Sequence, residues 1–196
     1  MTNLSKGLVY SIEGEENSGE HMLLKYSIFI LTGGKNIFYE GRPVEKSKLF
    51  LNSISYVAKK DSLHPQETFK KNIKLYMNLF DENQEFLERV YSTIKKLGYQ
   101  NYKNYLVGDL SKEARYIAYL AIMFSKNSEV LILDEPFALL TKNTQKFFIE
   151  LLKQKIENKT TIIMSTKIPE LKALINKIVY VKDLQNQSIH TTQCNI

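Results

Sequence analysis

The sequence predicts an α/β fold, a mostly parallel sheet flanked by helices. Two short, continuous apolar runs carry that prediction, residues 130–133 (VLIL) and 160–164 (TTIIM), each bounded by polar segments. Strands covered on both faces of a parallel sheet have this pattern, whereas a strand with one wet face alternates. Breaker-free helical patterns lie between and beside these runs, the alternation that builds βαβ units.

Taken in order, residues 8–12 form a strand candidate that runs straight into a glycine-containing turn. Gly33, Gly34 and Gly41 punctuate a hairpin, with residues 35–40 as one of its strands. From about residue 65 to 107 the patterning is helical: Phe69, Ile73, Tyr76 and Met77, then Phe86, Leu87, Val90, Tyr91 and Ile94. No buried-strand signal interrupts it, so this stretch is expected to be a helical subdomain inserted in the α/β core. Residues 114–124 follow as a buried helix with Ser111 as its N-cap, and residues 144–156 place Phe147, Phe148, Leu151 and Leu152 on one stripe. Residues 177–182 (KIVYVK) make a late strand. The whole chain, 1–196, is expected to be a single domain.

Composition narrows the function classes. Hydrophobic residues at 43% and charged residues at 24% are ordinary for a soluble fold. The single cysteine, Cys194, excludes a disulfide framework and fits a reducing compartment. No signal-peptide h-region and no run near the roughly 18–20 apolar residues of a membrane span are present, so a soluble, cytoplasmic chain is expected. The net charge is +6. Its lysines are scattered, with no basic block or nucleic-acid-binding signature, so no nucleic-acid partner is expected. Weak attraction to an anionic membrane face suits that charge better.

The most specific segment is VLILDEP, residues 130–136. A hydrophobic strand ending in Asp134-Glu135 sets two carboxylates at the carboxyl edge of a parallel sheet, where α/β proteins bind ligands. Such an Asp134 holds Mg²⁺ through water, and the adjacent Glu135 polarises an attacking water in phosphoryl transfer. Upstream, DLSKEARYIAYLAIMF opens the preceding helix; downstream, TTIIMSTK leads into another helix; near the start, GLVYSIEGEENSGEHMLLK gives strand, glycine-bracketed turn and helix. In this order the chain resembles the ATP-binding subunit of an ABC transporter over almost its whole length. The resemblance implies a phosphate-loop (P-loop) NTPase-like fold with a helical subdomain insertion and a shortened N-terminal β region.

An intact family member carries a phosphate loop of the form G-x-x-G-x-G-K-[ST]-T-L, a Q-loop glutamine, an LSGGQ signature, a Walker B ending in DEP, a D-loop and a switch histidine. Here Gly14, Asn17, Ser18 and Gly19 occupy the loop, and the two following positions are Glu20 and His21 instead of Lys and Ser/Thr. Backbone N–H groups surround the phosphates while Lys supplies charge and Ser/Thr ligates Mg²⁺. Glu20 reverses that charge, and Glu15 and Glu16 add to it. At an effective dielectric near 20, a unit-charge pair at about 4 Å is worth roughly 4 kcal/mol, so affinity falls by about 10³-fold or more. His21 is also a poor ligand for Mg²⁺, which prefers oxygen. Lys59 stands in the Q-loop slot, Ser111 keeps the signature serine while both glycines are lost, Thr141 fills the D-loop slot, and Lys167 stands at the switch position. Only Asp134 and Glu135 persist among the ionisable catalytic groups.

With 13 residues before Gly14, the full N-terminal strand pair with an adenine-stacking aromatic is not expected. Tyr10, inside the strand that leads to the loop, is expected to be core or sheet surface.

The resemblance therefore implies a degenerate, catalytically inactive ATP-binding-cassette subunit. It is expected to partner a membrane permease, and an intact ATP-binding subunit as heterodimer, peripheral on the inner face of the cell membrane. No cofactor is expected, or ATP and Mg²⁺ where a nucleotide site survives. Two alternatives stand beside this reading. One is a weakly active ATPase using Asp134 and Glu135, with Lys25, Lys59 or Lys167 supplying the missing cation. The other is a stand-alone scaffold or regulatory protein on the same fold. Ser111 either caps its helix or touches a partner's phosphate, with Lys112 beside it. Phe69 and Tyr76 either face the permease or fill the helical core.

Overall fold

The computed structural model describes residues 2–13, 37–39, 42–43 and 52–180. The chain divides into two compact units, Met1–Tyr56 with Ser128–Pro136 and Leu152–Ile196, and Val57–Asn127 with Phe137–Leu151. Gly14 to Lys35, Glu40, Gly41, Lys182 and Cys194 lie outside the described residues, and with them the phosphate-loop positions Gly14, Asn17, Ser18, Gly19, Glu20 and His21.

The first unit is built on a five-stranded sheet. Its strands are β2 (Val9–Glu13), β5 (Ile54–Val57), β6 (Val130–Asp134), β7 (Thr161–Ser165) and β8 (Lys177–Tyr180), in the spatial order β5-β6-β7-β2-β8. β6 pairs with β7, β7 with β2 and β2 with β8, all parallel. Every residue of β6 and β7 is buried, as their unbroken apolar runs require. The chain visits β2 first, crosses to the far edge at β5, and walks back through β6 and β7. It then passes to the other side of β2 for β8. The connections thus change direction between β2 and β7, and the crevice at the carboxyl ends of those strands is where open parallel sheets bind ligands.

Both central strands run one residue beyond their apolar stretch, to Asp134 and Ser165, which pair in register. Thr160, read as the start of β7, belongs instead to the stop of the preceding helix α4 (Lys142–Glu157). Lys159 is left-handed there (φ 63°), and the N–H of Thr160 donates to the Lys155 carbonyl at 3.0 Å, which closes the helix end.

A second, smaller sheet has three strands, in the order β1 (Thr2–Leu4), β3 (Ile37–Tyr39), β4 (Arg42–Pro43). Strand β3 pairs antiparallel with β4, as the hairpin punctuation predicts, and also parallel with β1. β1 is three residues long, below what periodicity resolves. One face of the larger sheet packs Leu4, Tyr10, Ile12, Val130, Ile132 and Ile163 together. Tyr10 is thus a core residue, and its hydroxyl accepts the Ser5 N–H at 2.8 Å.

Ser55 of β5 is 1% exposed, and its Oγ has no hydrogen-bond partner. A buried hydroxyl without a partner costs roughly 1–3 kcal/mol. Ser55→Ala is therefore expected to raise stability by about 1 kcal/mol in urea unfolding, the reverse of the usual sign for a substitution at a fully buried site.

The second unit is helical. Helix α1 (Phe69–Phe80) starts at Thr68, whose side chain accepts the Lys71 N–H, and ends at Asp81 in the left-handed conformation. Helix α2 (Gln84–Lys96) is capped by Asn83, with Glu85 in its first turn and Lys95 and Lys96 in its last. Phe69, Ile73 and Tyr76 of α1 and Phe86, Leu87, Val90 and Ile94 of α2 are buried. Phe69 and Tyr76 are consequently core rather than docking aromatics, at 1% and 9% exposure. Two 3-10 turns, Gln100–Asn104 and Val107–Asp109, lead to α3 (Lys112–Ser125), buried almost throughout. Asn72 anchors the start of α1: its Oδ1 accepts the His64 N–H at 2.8 Å, and its Nδ2 donates to the His64 and Thr68 carbonyls. No helix among the described residues is long and apolar enough to cross a membrane.

Candidate functional site

The carboxylates of the DEP segment sit at the carboxyl edge of the first unit's sheet. Asp134 closes β6 and is 5% exposed. Its Oδ2 accepts a hydrogen bond from the Tyr56 hydroxyl at 3.2 Å, so β5 supplies the donor that satisfies this buried oxygen. Glu135 follows with a φ of 43°, uncommon for a residue with a side chain. Its N–H is held by Ser165, donating to both the carbonyl at 3.2 Å and Oγ at 3.3 Å. Left-handed backbone costs a non-glycine residue about 1–2 kcal/mol, and it persists where bonding over-determines it. Strain of this kind gathers at functional turns, and Phe137 two residues on repeats it at 68°.

Lys167 is exposed two residues beyond β7. Thr166 Oγ1 accepts the Ile168 N–H at 3.1 Å, setting the turn into the short helix α5 (Pro169–Lys172). Asp134, Glu135, Ser165 and Lys167 therefore share the carboxyl edge of β6 and β7. β2 ends beside them at Glu13, one residue before Gly14.

The remaining sequence-selected positions belong to the second unit. Lys59 is half-buried, two residues past β5. Ser111 caps α3, its side chain accepting the Ala114 N–H at 3.1 Å. Glu113 accepts the Thr141 N–H at 2.9 Å through Oε1. It also helps hold the Tyr99 phenol above its ordinary range, behind burial and ahead of Tyr102.

In the first unit, the two carboxylates at the end of β6 suit a cation. Asp134 and Glu135 offer the carboxylate oxygens that Mg²⁺ takes. In the second unit, Glu113 sets a negative charge in the first turn of α3. No group of three or more His, Cys, Asp or Glu side chains that would enclose a metal occurs among the described residues.

Sequence reasoning missed Tyr56, Ser165 and the Glu113–Thr141 bond. For Ser165 a signal existed, a polar residue closing an apolar run. The other two depend on partners 78 and 28 residues apart.

A sequence profile described as "ABC transporter" matches residues 2–138. The chain belongs to the ABC transporter family. Among its relatives, the xylose import ATP-binding protein XylG of Photobacterium profundum is 28% identical over 198 residues, covering 93% of this chain and 38% of that protein. The ribose import ATP-binding protein RbsA of Yersinia pestis is 28% identical across 91% of this chain and 37% of its own length. The chain thus spans under two-fifths of those import proteins. It covers 74% of the ABC transporter ATP-binding protein NatA of Bacillus subtilis, at 25% identity over 91% of this chain.

Solved structures agree on the fold. An ATP-binding subunit of an ABC transporter superposes with a TM-score of 0.76 at 15% identity, over 94% of this chain and 83% of that one. The cbiO1 protein of Clostridium perfringens, part of the ABC transporter complex cbiONQ, gives 0.63 at 21% identity, over 89% of this chain and 73% of that one. The fold of this ABC family member is therefore the α/β, P-loop NTPase-like one, a parallel sheet flanked by helices.

Proposed function

We propose that this ABC family member is a non-catalytic cassette subunit of a transporter. It occupies the inner membrane face against a permease and pairs there with an intact ATP-binding subunit. The whole chain acts as one cassette domain, with residues 65–107 as its helical insertion. The observation that carries this reading is Glu20-His21 in the positions of the phosphate-loop Lys and Ser/Thr. A repelling charge at the phosphates removes affinity for MgATP however well Asp134 and Glu135 are placed. Glu113 supports the same reading from the signature segment. The import proteins among the relatives favour an import system.

The full chain with ATP and Mg²⁺ is expected to show neither a thermal shift nor steady phosphate release. Micromolar binding with turnover would establish the second reading, an ATPase working through Asp134 and Glu135, which the Ser165-held Glu135 turn favours. Replacing Glu20→Lys together with His21→Thr is expected to raise nucleotide affinity by about 10³-fold, from the charge arithmetic above. No gain from the double change would break the assignment of those positions. Co-purification from native membranes tests the partners: a permease and a second cassette are expected, and this chain recovered alone would favour a scaffold outside transport.

A further inference from the structure

Helices α1 and α2 form a hairpin whose charge is sorted by end. Residues 81–83 join them, so the start of α1 and the end of α2 lie at one end of the pair and the connection at the other. At the connection, residues 81–88 carry Asp81, Glu82, Glu85 and Glu88 and no Lys or Arg. Arg89 pairs with Glu82 at 2.8 Å and so answers part of that charge. At the opposite end stand Lys70, Lys71 and Lys74 in the first two turns of α1, and Lys95 and Lys96 in the last turn of α2. The sequence of α1 contains no acid.

The 3-10 turn Gln100–Asn104 crosses this basic end and adds to it. On one side the Tyr99 N–H donates to the Ile94 carbonyl of α2 at 3.0 Å; on the other the Tyr105 carbonyl accepts the Phe69 N–H of α1 at 3.1 Å. From residue 90 to 108 the sequence has three lysines, four tyrosines and no Asp or Glu. Three of the tyrosines follow the three-residue period of the turn, which sets i and i+3 on one side. Ring centroids are 5.0 Å apart for Tyr99 and Tyr102, and 5.6 Å for Tyr102 and Tyr105. The Nζ of Lys103 lies 4.8 Å from the centre of the fourth ring, Tyr91. Lys103 and the five helix lysines are all exposed, as are Tyr105 at 52% and its neighbour Leu106 at 43%. The carboxylates nearby are Glu67, held by Lys71 at 2.8 Å, Asp109, and Glu113, which bonds the Thr141 N–H. Cations therefore outnumber acids at this end, and two of the acids are already engaged.

We infer that this end of the hairpin is a docking face for an anionic phospholipid surface. Lysines are drawn to the lipid phosphates, while tyrosine rings with polar tips and the exposed Leu106 settle at the boundary between headgroup and acyl chain. The acidic connection is repelled by the same surface, so the hairpin meets it basic end first. A single-stranded nucleic acid would use the same lysines, but its bases need open ring faces to stack on. Here Tyr99 meets Tyr102 edge-on, and Lys103 occupies a face of Tyr91. No permease is required, so the inference goes beyond the transporter reading and does not rest on it.

Flotation of the full chain with protein-free vesicles tests it. Vesicles of phosphatidylcholine with about one-third phosphatidylglycerol are expected to carry the chain, and pure phosphatidylcholine vesicles are not. Salt at about 1 M, which screens charges beyond roughly 3 Å, is expected to release it. Each lysine at such a surface strengthens binding about fivefold, so Lys95→Gln with Lys96→Gln is expected to weaken it about 25-fold. Lys142→Gln with Lys146→Gln makes the same charge change at exposed positions of α4 and is expected to alter binding less than about twofold. The chain has no tryptophan, so Tyr105→Trp supplies a single reporter, whose emission is expected to shift to the blue on the anionic vesicles. That shift decides the matter if the Lys95 and Lys96 variant does not fold. Equal losses from the two lysine pairs would reduce the effect to net charge and overturn the inference. So would an unshifted emission, or tighter binding to a single-stranded oligonucleotide than to the vesicles. Because the vesicles hold no permease, failure here counts against this face and not against the transporter reading.

Discussion

Phe137→Ala is expected to cost about 3–5 kcal/mol, the range for removing a buried phenyl ring. Phe137 is fully buried, with Phe124 at 5.9 Å and Phe148 at 5.8 Å between ring centroids. Those two rings lie 5.6 Å from each other, so the three close a triangle of packed rings. With a typical domain stability of about 5–15 kcal/mol, the loss is a large share of the total. The backbone makes the prediction sharper. At a φ of 68°, alanine keeps the left-handed strain that the phenylalanine also bears, whereas glycine does not. Phe137→Gly is therefore expected to be more stable than Phe137→Ala by about 1 kcal/mol in denaturant unfolding, although both leave the same cavity. The opposite order would mean that the turn after Glu135 relaxes once the ring is gone, and that the triangle alone imposes its conformation.

How much of this was legible in the sequence depended on the range of the interaction. The central strands were, because a strand buried on both faces must be apolar at every position, and residues 131–133 and 162–164 are. The end of β6 at Asp134 was legible too, through DEP, whereas the end of β7 was not, because Ser165 looks like the turn that follows. The Ser111 cap was legible, since a cap acts within three residues of itself. The stripes of α1 and α2 were also legible, but a stripe says that something covers it and not what does. That is why Phe69 and Tyr76 stayed ambiguous until their burial resolved them as core. Strands as short as β1 and β5 carry too few residues for a period to emerge. At the candidate site the carboxylates announced themselves through DEP, while their fixings did not. Tyr56 looks like any half-buried strand tyrosine, and only the placing of β5 beside β6 gives it Asp134 to bond. Whether a carboxylate is tethered is a property of the sheet order, which no local pattern encodes.

The same unit holds a buried cation whose removal is expected to stabilise the protein. Lys126, just past α3, is 3% exposed, and its Nζ lies 4.5 Å above the Phe80 ring. Burial lowers its pKa to about 8 against the opposing pull of Glu82. That pull is divided, since Glu82 also bonds Arg89 and the Asn127 N–H, each at 2.8 Å. Arg89 in turn lies 3.9 Å from Glu85. The folded pKa is below the ordinary 10.5, so between about pH 8 and 10.5 the unfolded chain binds the extra proton. Stability from this group must therefore rise with pH across that window, by an amount that approaches about 3 kcal/mol at its upper end. Tyr119 acts in the other direction and later. Burial first, with Ala58, Tyr76, Ser62 and Asp61 as smaller influences, takes its phenol from 10.0 to about 12, so its contribution is lost as pH rises above 10. The urea midpoint is expected to climb from pH 7.5 to near 10 and fall beyond it. Lys126→Met keeps a chain of similar length over Phe80 without a charge to desolvate. It is expected to add about 2–3 kcal/mol at pH 7 and to abolish the climb, so that the two proteins converge as pH approaches 10. A variant that is less stable than the parent at pH 7 would show that the ring and Glu82 hold the ammonium more strongly than burial repels it.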